Sequence, residues 1–282
     1  MLESQPHASF RTMMKYTGYR IAAIFAHPDD EAYSCAGLLA MAAEGGAVVT
    51  VVCATRGEAG RDREGIVPPG PALARLRTVE MGLSCRALGV QPPVFLDLPD
   101  GALQGHPELE PRIRDVFSRL RPNVVITLGM DGAYGHRDHI AVTEAVIAQV
   151  MSMREGSTRR ARRAPVRPRL LLVQFPMGLF AKVRSFMERN LPHAIDTSDL
   201  PAADRMGIDP EDADARLDVR PWRGHKLRAL AAHRSQLRDG DPESFLRDGL
   251  ATALLDFELY TCASGPQLPA ASDNPLDGIE TE

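Results

Sequence analysis

The chain has 282 residues, 44% of them hydrophobic and 25% charged, and a formal net charge of −4 at pH 7. This composition is typical of one globular domain, and the small net charge gives no reason to expect a nucleic-acid or membrane surface. No apolar run approaches the roughly 20 residues of a membrane span. The four cysteines form no C-x-x-C pair, so a cytoplasmic location is expected.

Segments typical of strands and helices alternate along the chain. The predicted strands are Arg20–Ala26, Ala47–Ala54, Pro93–Leu98, Asn123–Leu128 and Leu170–Phe175. The predicted helices are Tyr33–Glu44, Pro71–Leu88, Glu108–Leu120 and His139–Met153. The first two strands are almost continuously apolar, as parallel strands covered on both faces are. The alternation predicts a single α/β domain with a Rossmann-like, mostly parallel sheet and helices on both faces.

The predicted domain covers residues 20–265 and lies between two tails. Met1–Tyr19 is predicted to be an N-terminal tail, and the polar, acidic Pro266–Glu282 is predicted to be disordered. Glu58–Pro71, rich in Gly, Pro and charge, is a candidate active-site loop. Arg154–Arg169 holds seven arginines against one glutamate and is predicted to be a solvated excursion.

The first polar cluster, A-H-P-D-D-E at residues 26–31, follows the first strand. Ligands of parallel α/β sheets bind beyond the carboxyl ends of the strands. His27 and Asp30, three residues apart on a tight turn, can converge on one metal ion, and zinc accepts both ligand types. Pro28 stiffens the turn. Asp29 is then a candidate general base for a water molecule.

The second cluster, Y-G-H-R-D-H at residues 134–139, follows the fourth strand. His139 would complete the ligand set, and Tyr134 and His136 would face the substrate. Taken singly, a histidine at a strand end is more often a surface or capping residue, and Asp29 or Asp30 would be a helix N-cap. Two clusters at two strand ends favour a metal site. Three ligands with an open position favour catalysis over a structural zinc.

These two motifs resemble those of the PIG-L or LmbE-like N-deacetylases, whose hallmarks are A-H-P-D-D-E and, far downstream, H-x-D-H. The resemblance runs from about Ile21 to Gln236. It includes T-R-G-E at 55–58, R-x-x-E at 77–80 and A-H-R-S-Q at 232–236. It implies a hydrolase that deacetylates a small N-acetylglucosamine-type conjugate to a free amine and acetate.

The resemblance implies roles for the residues of both clusters. His27, Asp30 and His139 would bind zinc, with iron as the alternative metal in the cell, and Asp29 would be the general base.

On the opposite side of the substrate, His136 would act as general acid or stabilise the oxyanion. Tyr134 would polarise the carbonyl, and Asp138 would orient His136.

The sequence also suggests residues that contact the substrate. Arg56 follows the second strand and could bind a sugar hydroxyl or a carboxylate, although a salt bridge fits it equally well. Arg61 would line the entrance. Glu31 is a further candidate, and it could instead support the metal ligands from behind.

Other polar residues have structural interpretations. The spacing of Arg77 and Glu80 predicts an ion pair on a helix. Asp100 reads as a plain turn residue, and His233 reads as a capping or packing residue.

Three alternative functions remain open on the sequence alone. The same site would suit an amidase that cleaves a larger amino-sugar or thiol conjugate. The arginine-rich segment Arg154–Arg169 would suit a nucleic-acid-binding protein, but it lacks interleaved aromatic residues, so we expect no nucleic-acid partner. A binding relative without catalysis is disfavoured because every catalytic residue type is present. A homo-oligomer is compatible with the sequence.

Overall fold

The structure is a computed structural model, and it describes residues 15–153, 167–182, 185, 206–237, 240–242, 254–269 and 272–279. In this part of the chain, seven strands form one sheet in the order β3-β2-β1-β4-β5-β7-β6. Their bounds are β1 Arg20–Phe25, β2 Val48–Cys53, β3 Val94–Phe95, β4 Val124–Leu128, β5 Arg169–Gln174, β6 Ala215–Asp218 and β7 Phe257–Ser264.

The helices described lie mainly between these strands. They are α1 Asp30–Ser34, α2 Ala36–Glu44, α3 Pro71–Leu88, α4 Leu109–Leu120, α5 Gly132–Gly135, α6 Arg137–Ser152 and α7 Arg223–Ala232. Short 3₁₀ turns cover Pro210–Asp212, Arg220–Trp222 and Arg234–Gln236.

Most predicted elements are confirmed, with shifted ends. The predicted helix Tyr33–Glu44 begins earlier and is divided at Cys35, whose φ of −142° and ψ of 16° interrupt the helix. The predicted strand Pro93–Leu98 pairs with β2 only at Val94 and Phe95. β6, β7 and α7 are additional to the predicted elements.

The prediction of a mostly parallel α/β sheet is confirmed. Strands β3, β2, β1, β4 and β5 are parallel, and β7 runs antiparallel to β5 and β6. Side chains of β1 alternate between two hydrophobic cores, with Phe25 in one and Ile24 in the other, because successive strand residues point to opposite faces. Helices α1, α2, α3 and α7 cover the first face, and α4 and α6 cover the second.

The strand order places a crevice beyond the carboxyl ends of β1 and β4. From β1 the chain proceeds outward to β2 and β3, then returns to pair β4 on the other side of β1. Such a reversal is where ligands bind in doubly wound sheets. The polar clusters at residues 26–31 and 134–139 follow β1 and β4 and therefore meet at this crevice.

The predicted tails need correction where the structure describes them. Tyr16 and Tyr19 are buried in the core, and Leu276 is fully buried. The buried guanidinium of Arg169 donates to backbone carbonyls of residues 266, 267, 275 and 277. The polar composition of the C-terminal segment predicted disorder. The segment is held through its backbone carbonyl groups, and the polarity of its side chains does not reveal these contacts.

The arginine-rich segment lies mostly outside the described residues. Of its described members, Arg167 donates to the carbonyls of Met151 and Met153, and Arg169 starts β5. No helix in the described part of the chain has the length and apolarity needed to cross a membrane.

Replacing Arg169 should detach the C-terminal segment. Arg169→Met leaves one buried carbonyl, that of Pro275, and three partly buried carbonyls without a donor. The buried group alone costs about 1–3 kcal/mol, so we expect a melting temperature several degrees lower and proteolysis within residues 266–279. Arg216→Met, at an exposed arginine stacked on Phe257, is the control. Equal melting temperatures for the two variants would contradict the anchoring role of Arg169.

Candidate active site

The turn after β1 is held by backbone hydrogen bonds before any ligand is considered. The carbonyl of Ala26 accepts from the N–H and the hydroxyl of Thr55 at the end of β2. The N–H of His27 donates to Asp30 Oδ2 at 2.9 Å. Asp29 has a φ of 103°, a conformation that non-glycine residues rarely adopt. It immediately precedes α1.

The predicted ligand atoms converge on one point. His27 Nδ1 lies 3.1 Å from His139 Nε2. The two oxygens of Asp30 face one ring each, with Oδ1 3.2 Å from His139 Nε2 and Oδ2 3.8 Å from His27 Nδ1. A tetrahedral ion with ligands at about 2.0–2.1 Å separates its ligand atoms by about 3.3 Å. His27, Asp30 and His139 are all buried, and their spacing fits a metal ion without large movement.

Hydrogen bonds on the outer side of each imidazole ring select its metal-binding nitrogen. His139 Nδ1 lies 3.0 Å from the carbonyl of Gly132. His27 Nε2 lies 3.0 Å from Asp100 Oδ1 and 3.4 Å from Asp138 Oδ2. Because these acceptors require protons, the lone pairs of His139 Nε2 and His27 Nδ1 are directed at the shared point, as in carboxylate–histidine–metal arrangements.

The charge at His27 also favours a cation at this point. Burial lowers the pKa of His27, but its hydrogen bonds to Asp100 and Asp138 and the nearby Asp30 outweigh burial and raise the pKa to about 10. The surrounding carboxylates therefore stabilise positive charge, which either a proton or a metal ion can supply.

His136 is an alternative third ligand. Its ring stacks on His139 at 4.6 Å and lies 4.8 Å from His27, measured between ring centroids, and the three histidines could hold an ion together. His136 Nδ1 accepts from the N–H of Asp138 and so caps α6. Burial, with His139 and His27, lowers the pKa of His136 to about 4, and because Nδ1 accepts, the neutral ring carries its proton on Nε2. His136 Nε2 would have to lose that proton before it could bind a metal ion.

Asp29 lies beside the predicted ligands, and the pKa of its carboxyl group is raised. Its carboxylate accepts from Arg77 Nη2 at 3.2 Å. Burial raises its pKa and Arg77 opposes this, but with Asp30 nearby the pKa remains raised, at about 6. A carboxylate with a pKa close to the working pH is well suited to general base catalysis.

Tyr134 completes the other side of the crevice. Its ring centroid lies 5.4 Å from that of His139 and 5.7 Å from that of Phe180. Burial raises the pKa of Tyr134 far above its usual range, so its hydroxyl keeps its proton. The turn before it has a positive φ at Ala133 and is held by Asp131, which accepts from the N–H of Ala133.

The structure corrects the expected partner of Asp138. Its carboxylate accepts from the N–H groups of Gly101 and Leu103 at 2.7 and 3.0 Å and faces His27. Only its backbone N–H contacts His136. In the first turn of α6 the side chain points to the loop after β3, so it orients His27 rather than His136.

Glu31 is likewise no substrate ligand, since it is fully buried. Its carboxylate accepts from Ser84 Oγ at 2.5 Å, from the Asp29 N–H at 3.1 Å and from His233 at 2.7 Å. Glu31 thus supports the turn from beneath. His233 is the C-cap of α7, as the capping interpretation expected, and donates its backbone N–H to the Leu230 carbonyl, while its side chain contacts Glu31.

The predicted Arg77–Glu80 ion pair is also wrong. Arg77 donates to the carbonyls of Gly57 and Pro28 as well as to Asp29. Glu80 accepts from Ser235 instead. Gly57 has a φ of 71°, and a side chain there would collide with the Arg77 guanidinium.

Asp100 is the site residue that sequence reasoning missed. Besides facing His27, it accepts from the N–H of Ala59, and its own N–H donates to Glu58. The start of the candidate loop Glu58–Pro71 therefore lies beside the site. Its position in the sequence could have indicated this role, because Asp100 follows a parallel strand that ends at the same edge of the sheet.

The two arginines proposed to bind substrate have structural contacts. Arg56 pairs with Asp97 at 2.6 Å, donates to Thr78 and stacks over Phe95 at 4.3 Å. The carbonyl of Arg61 accepts from Gln236. The salt-bridge interpretation of Arg56 agrees with these contacts, and substrate binding by either arginine stays a prediction.

A buried His/Asp cluster at the reversal point of an α/β sheet, with the Asp29 carboxylate beside it, fits the class of metal-dependent hydrolases. The sequence profile of PIG-L, described as GlcNAc-PI de-N-acetylase, matches residues 22–150. A 1D-myo-inositol 2-acetamido-2-deoxy-alpha-D-glucopyranoside deacetylase from Saccharomonospora viridis is 31% identical over 291 residues, covering 89% of this chain and 97% of that protein. The chain belongs to the PIG-L family of N-deacetylases.

Solved structures share the fold at lower identity. The N,N'-diacetylchitobiose deacetylase of Pyrococcus horikoshii has a TM-score of 0.55 at 20% identity, covering 85% of this chain and 82% of that one. GalB, the 4-carboxy-2-hydroxymuconate hydratase of Pseudomonas putida KT2440, has a TM-score of 0.63 at 16% identity, covering 90% and 100%. The fold alone therefore does not define the reaction.

Metal analysis of single variants should identify the third ligand. We expect Asp30→Ala and His139→Ala to lose the metal, because each removes one of three convergent ligand atoms. His136→Ala should retain it. The measurement is metal per chain after dialysis, with circular dichroism to verify folding. Retention by Asp30→Ala and loss by His136→Ala would assign His136 in place of Asp30.

Proposed function

We propose that this protein is a zinc-dependent deacetylase of an N-acetylglucosamine glycoside with a small polar aglycone, as in the inositol glycoside named for its relatives. The observation that carries the proposal is the convergence of His27, His139 and Asp30 beside the base Asp29 in a buried crevice. Histidine nitrogens with one carboxylate oxygen suit zinc, and iron accepts a similar set.

A substrate panel tests this proposal directly. The purified, zinc-loaded protein would be assayed for released carboxylic acid and free amine with N-acetylglucosaminyl inositol, the same glycoside with a larger N-acyl group, N,N'-diacetylchitobiose and free N-acetylglucosamine. We expect the highest kcat/KM with the inositol glycoside. Turnover confined to conjugates with larger acyl groups would favour the amidase alternative.

When bound, zinc would polarise the acetamide carbonyl and lower the pKa of a water molecule. Asp29 would take a proton from the attacking water, since it is next to the ligand Asp30 in the chain and has a raised pKa. Arg77 holds the Asp29 carboxylate in place. The nitrogen of the departing amine then needs a proton, which protonated Asp29 or His136 would supply.

Tyr134 and His136 would stabilise the oxyanion that develops on the carbonyl oxygen. The rings of both lie within 5.4 Å of the His139 ring, centroid to centroid, so both face the same space. Donors aimed at developing charge contribute about 3–4 kcal/mol each. The Tyr134 hydroxyl keeps its proton, as such a donor must. The neutral His136 ring, whose Nδ1 accepts from the Asp138 N–H, would donate from Nε2.

Removing the base should stop chemistry and spare the metal. Asp29→Asn keeps the shape of the side chain, and we expect kcat to fall by about 10²–10⁴-fold with unchanged metal content. In the wild type, kcat/KM should rise with pH as Asp29 loses its proton. The midpoint should be no higher than about pH 6, because a bound cation lowers the pKa further. Loss of metal by Asp29→Asn would show instead that Asp29 is a ligand.

Removing the oxyanion donors should affect kcat more than KM. A donor that acts only as charge develops contributes little to ground-state binding. His136→Ala should therefore lower kcat strongly with a similar KM, and Tyr134→Phe should do so more weakly. Steady-state kinetics at several pH values is the measurement. A change confined to KM in His136→Ala would make His136 a substrate-positioning residue.

A further inference from the structure

A fully buried polar network lies beneath the turn that carries Asp29. Its centre is Glu31 Oε1, which accepts from Ser84 Oγ at 2.5 Å and from His233 Nε2 at 2.7 Å. Glu31 and Ser84 are 0% exposed and His233 is 1% exposed. His233 Nδ1 has no hydrogen-bond partner among the described residues, so its one polar contact is with Glu31.

The other oxygen of Glu31 accepts a hydrogen bond from the backbone of Asp29. Glu31 Oε2 accepts from the Asp29 N–H at 3.1 Å, and Asp29 has a φ of 103°. Such a conformation costs roughly 1–3 kcal/mol and persists only where the surroundings enforce it. Because φ sets the direction of the side chain relative to the turn, the contact with Glu31 bears on where the Asp29 carboxylate lies.

His233 is itself held from α3. Ser235, two residues later, donates its N–H and its hydroxyl to Glu80, both at 2.7 Å. Glu80 and Ser84 are four residues apart and share one face of α3. One helix therefore positions the loop that carries His233 and donates directly to Glu31.

We propose that His233 is a positioning residue for Asp29, acting through Glu31. Ser84 and His233 together fix Oε1, so that Oε2 stays on the Asp29 N–H and keeps the turn in its left-handed conformation. Without the His233 donor, the buried carboxylate is undercompensated and free to turn. Asp29 would then relax and its carboxylate would move. The proposal rests on the proposed function, in which Asp29 is the general base.

The test compares three variants with a matched control. His233→Leu removes the donor, and His233→Gln places an amide nitrogen near the position of Nε2 and restores it. Ser84→Ala removes the second donor with little change in shape. Lys226→Met, within α7, breaks the buried pair of Lys226 with Glu258, which has a 2.7 Å contact and shares no hydrogen bond with Asp29 or Glu31. Each is measured for kcat, KM, metal content and melting temperature.

We expect kcat of metal-loaded His233→Leu to fall roughly 10- to 100-fold, since misplacement of about 1 Å costs that much, with KM and metal content unchanged. His233→Gln should recover most of the loss, and Ser84→Ala should lose several-fold. Lys226→Met should melt at a lower temperature with kcat within about twofold of wild type. Hydrogen exchange of the Asp29 amide, measured by NMR, should be faster in His233→Leu than in the wild type. It should be unchanged in Lys226→Met.

Several outcomes would overturn the proposal. Loss of kcat in His233→Leu that matches Lys226→Met would leave only a structural role. Loss of metal would show that His233 supports the metal ligands and not Asp29 specifically. If His233→Leu does not fold, Ser84→Ala provides the test, and a wild-type kcat in that variant would contradict the proposal. A wild-type protein that releases no acetate contradicts the proposed function, and the Asp29 amide exchange then tests the positioning independently.

Discussion

The parallel pairing of β1 with β4 is the interaction on which the metal site depends. Ile21 pairs with Val124 and Ala23 with Ile126, and this register brings His27 within 3.1 Å of His139, 112 positions away in the chain. A slip of one residue would displace the strand by about 3.3 Å and reverse its faces. The alternation of β1 side chains between two buried cores makes such a slip costly.

The polar residues beneath the site are the second requirement. Arg77, Glu80 and Ser84 line one side of α3 and contact Asp29, Ser235 and Glu31 respectively. Each is nearly or fully buried, so each must find a partner to offset the loss of hydration. The partners lie in three separate segments, and satisfying them fixes those segments around the turn. The helix thereby links the rigid core to the Asp29 carboxylate.

Much of the site could be predicted because ligand chemistry is local. His27 and Asp30 are three residues apart, and the strand before them is visible as an apolar run. The roles of Glu31 and Asp138 could not be assigned in this way, since their partners His233 and Gly101 come from distant segments. Nothing in the sequence distinguishes a buried carboxylate with a remote donor from one that faces a substrate.

The fold was predictable where strand and helix alternate and less so beyond β5. β7 contains Glu258, a polar residue that makes the strand look exposed on that face. In the structure this carboxylate is buried, where it accepts from the N–H groups of Gly37 and Leu38 at the start of α2 and from Lys226. A charge that caps a helix and pairs with a lysine behaves as part of the core, which a hydrophobic pattern cannot show.

The roles proposed for the two adjacent aspartates, Asp30 as ligand and Asp29 as base, agree with their surroundings. Burial disfavours the charge on both, but His139 and His27 reverse this at Asp30 and hold its pKa well below the usual range. Asp29 has Arg77 as its cationic contact, and with Asp30 as an anionic neighbour its pKa stays raised, at about 6. A ligand must remain ionised while a base must gain and lose a proton, so opposite shifts suit the two tasks. A metal ion at the histidines would supply positive charge beside Asp30, and Asp30 would stay ionised. The single peptide that separates the two carboxylates has to direct them to different partners, and the left-handed φ of Asp29 is the backbone feature that accompanies this divergence.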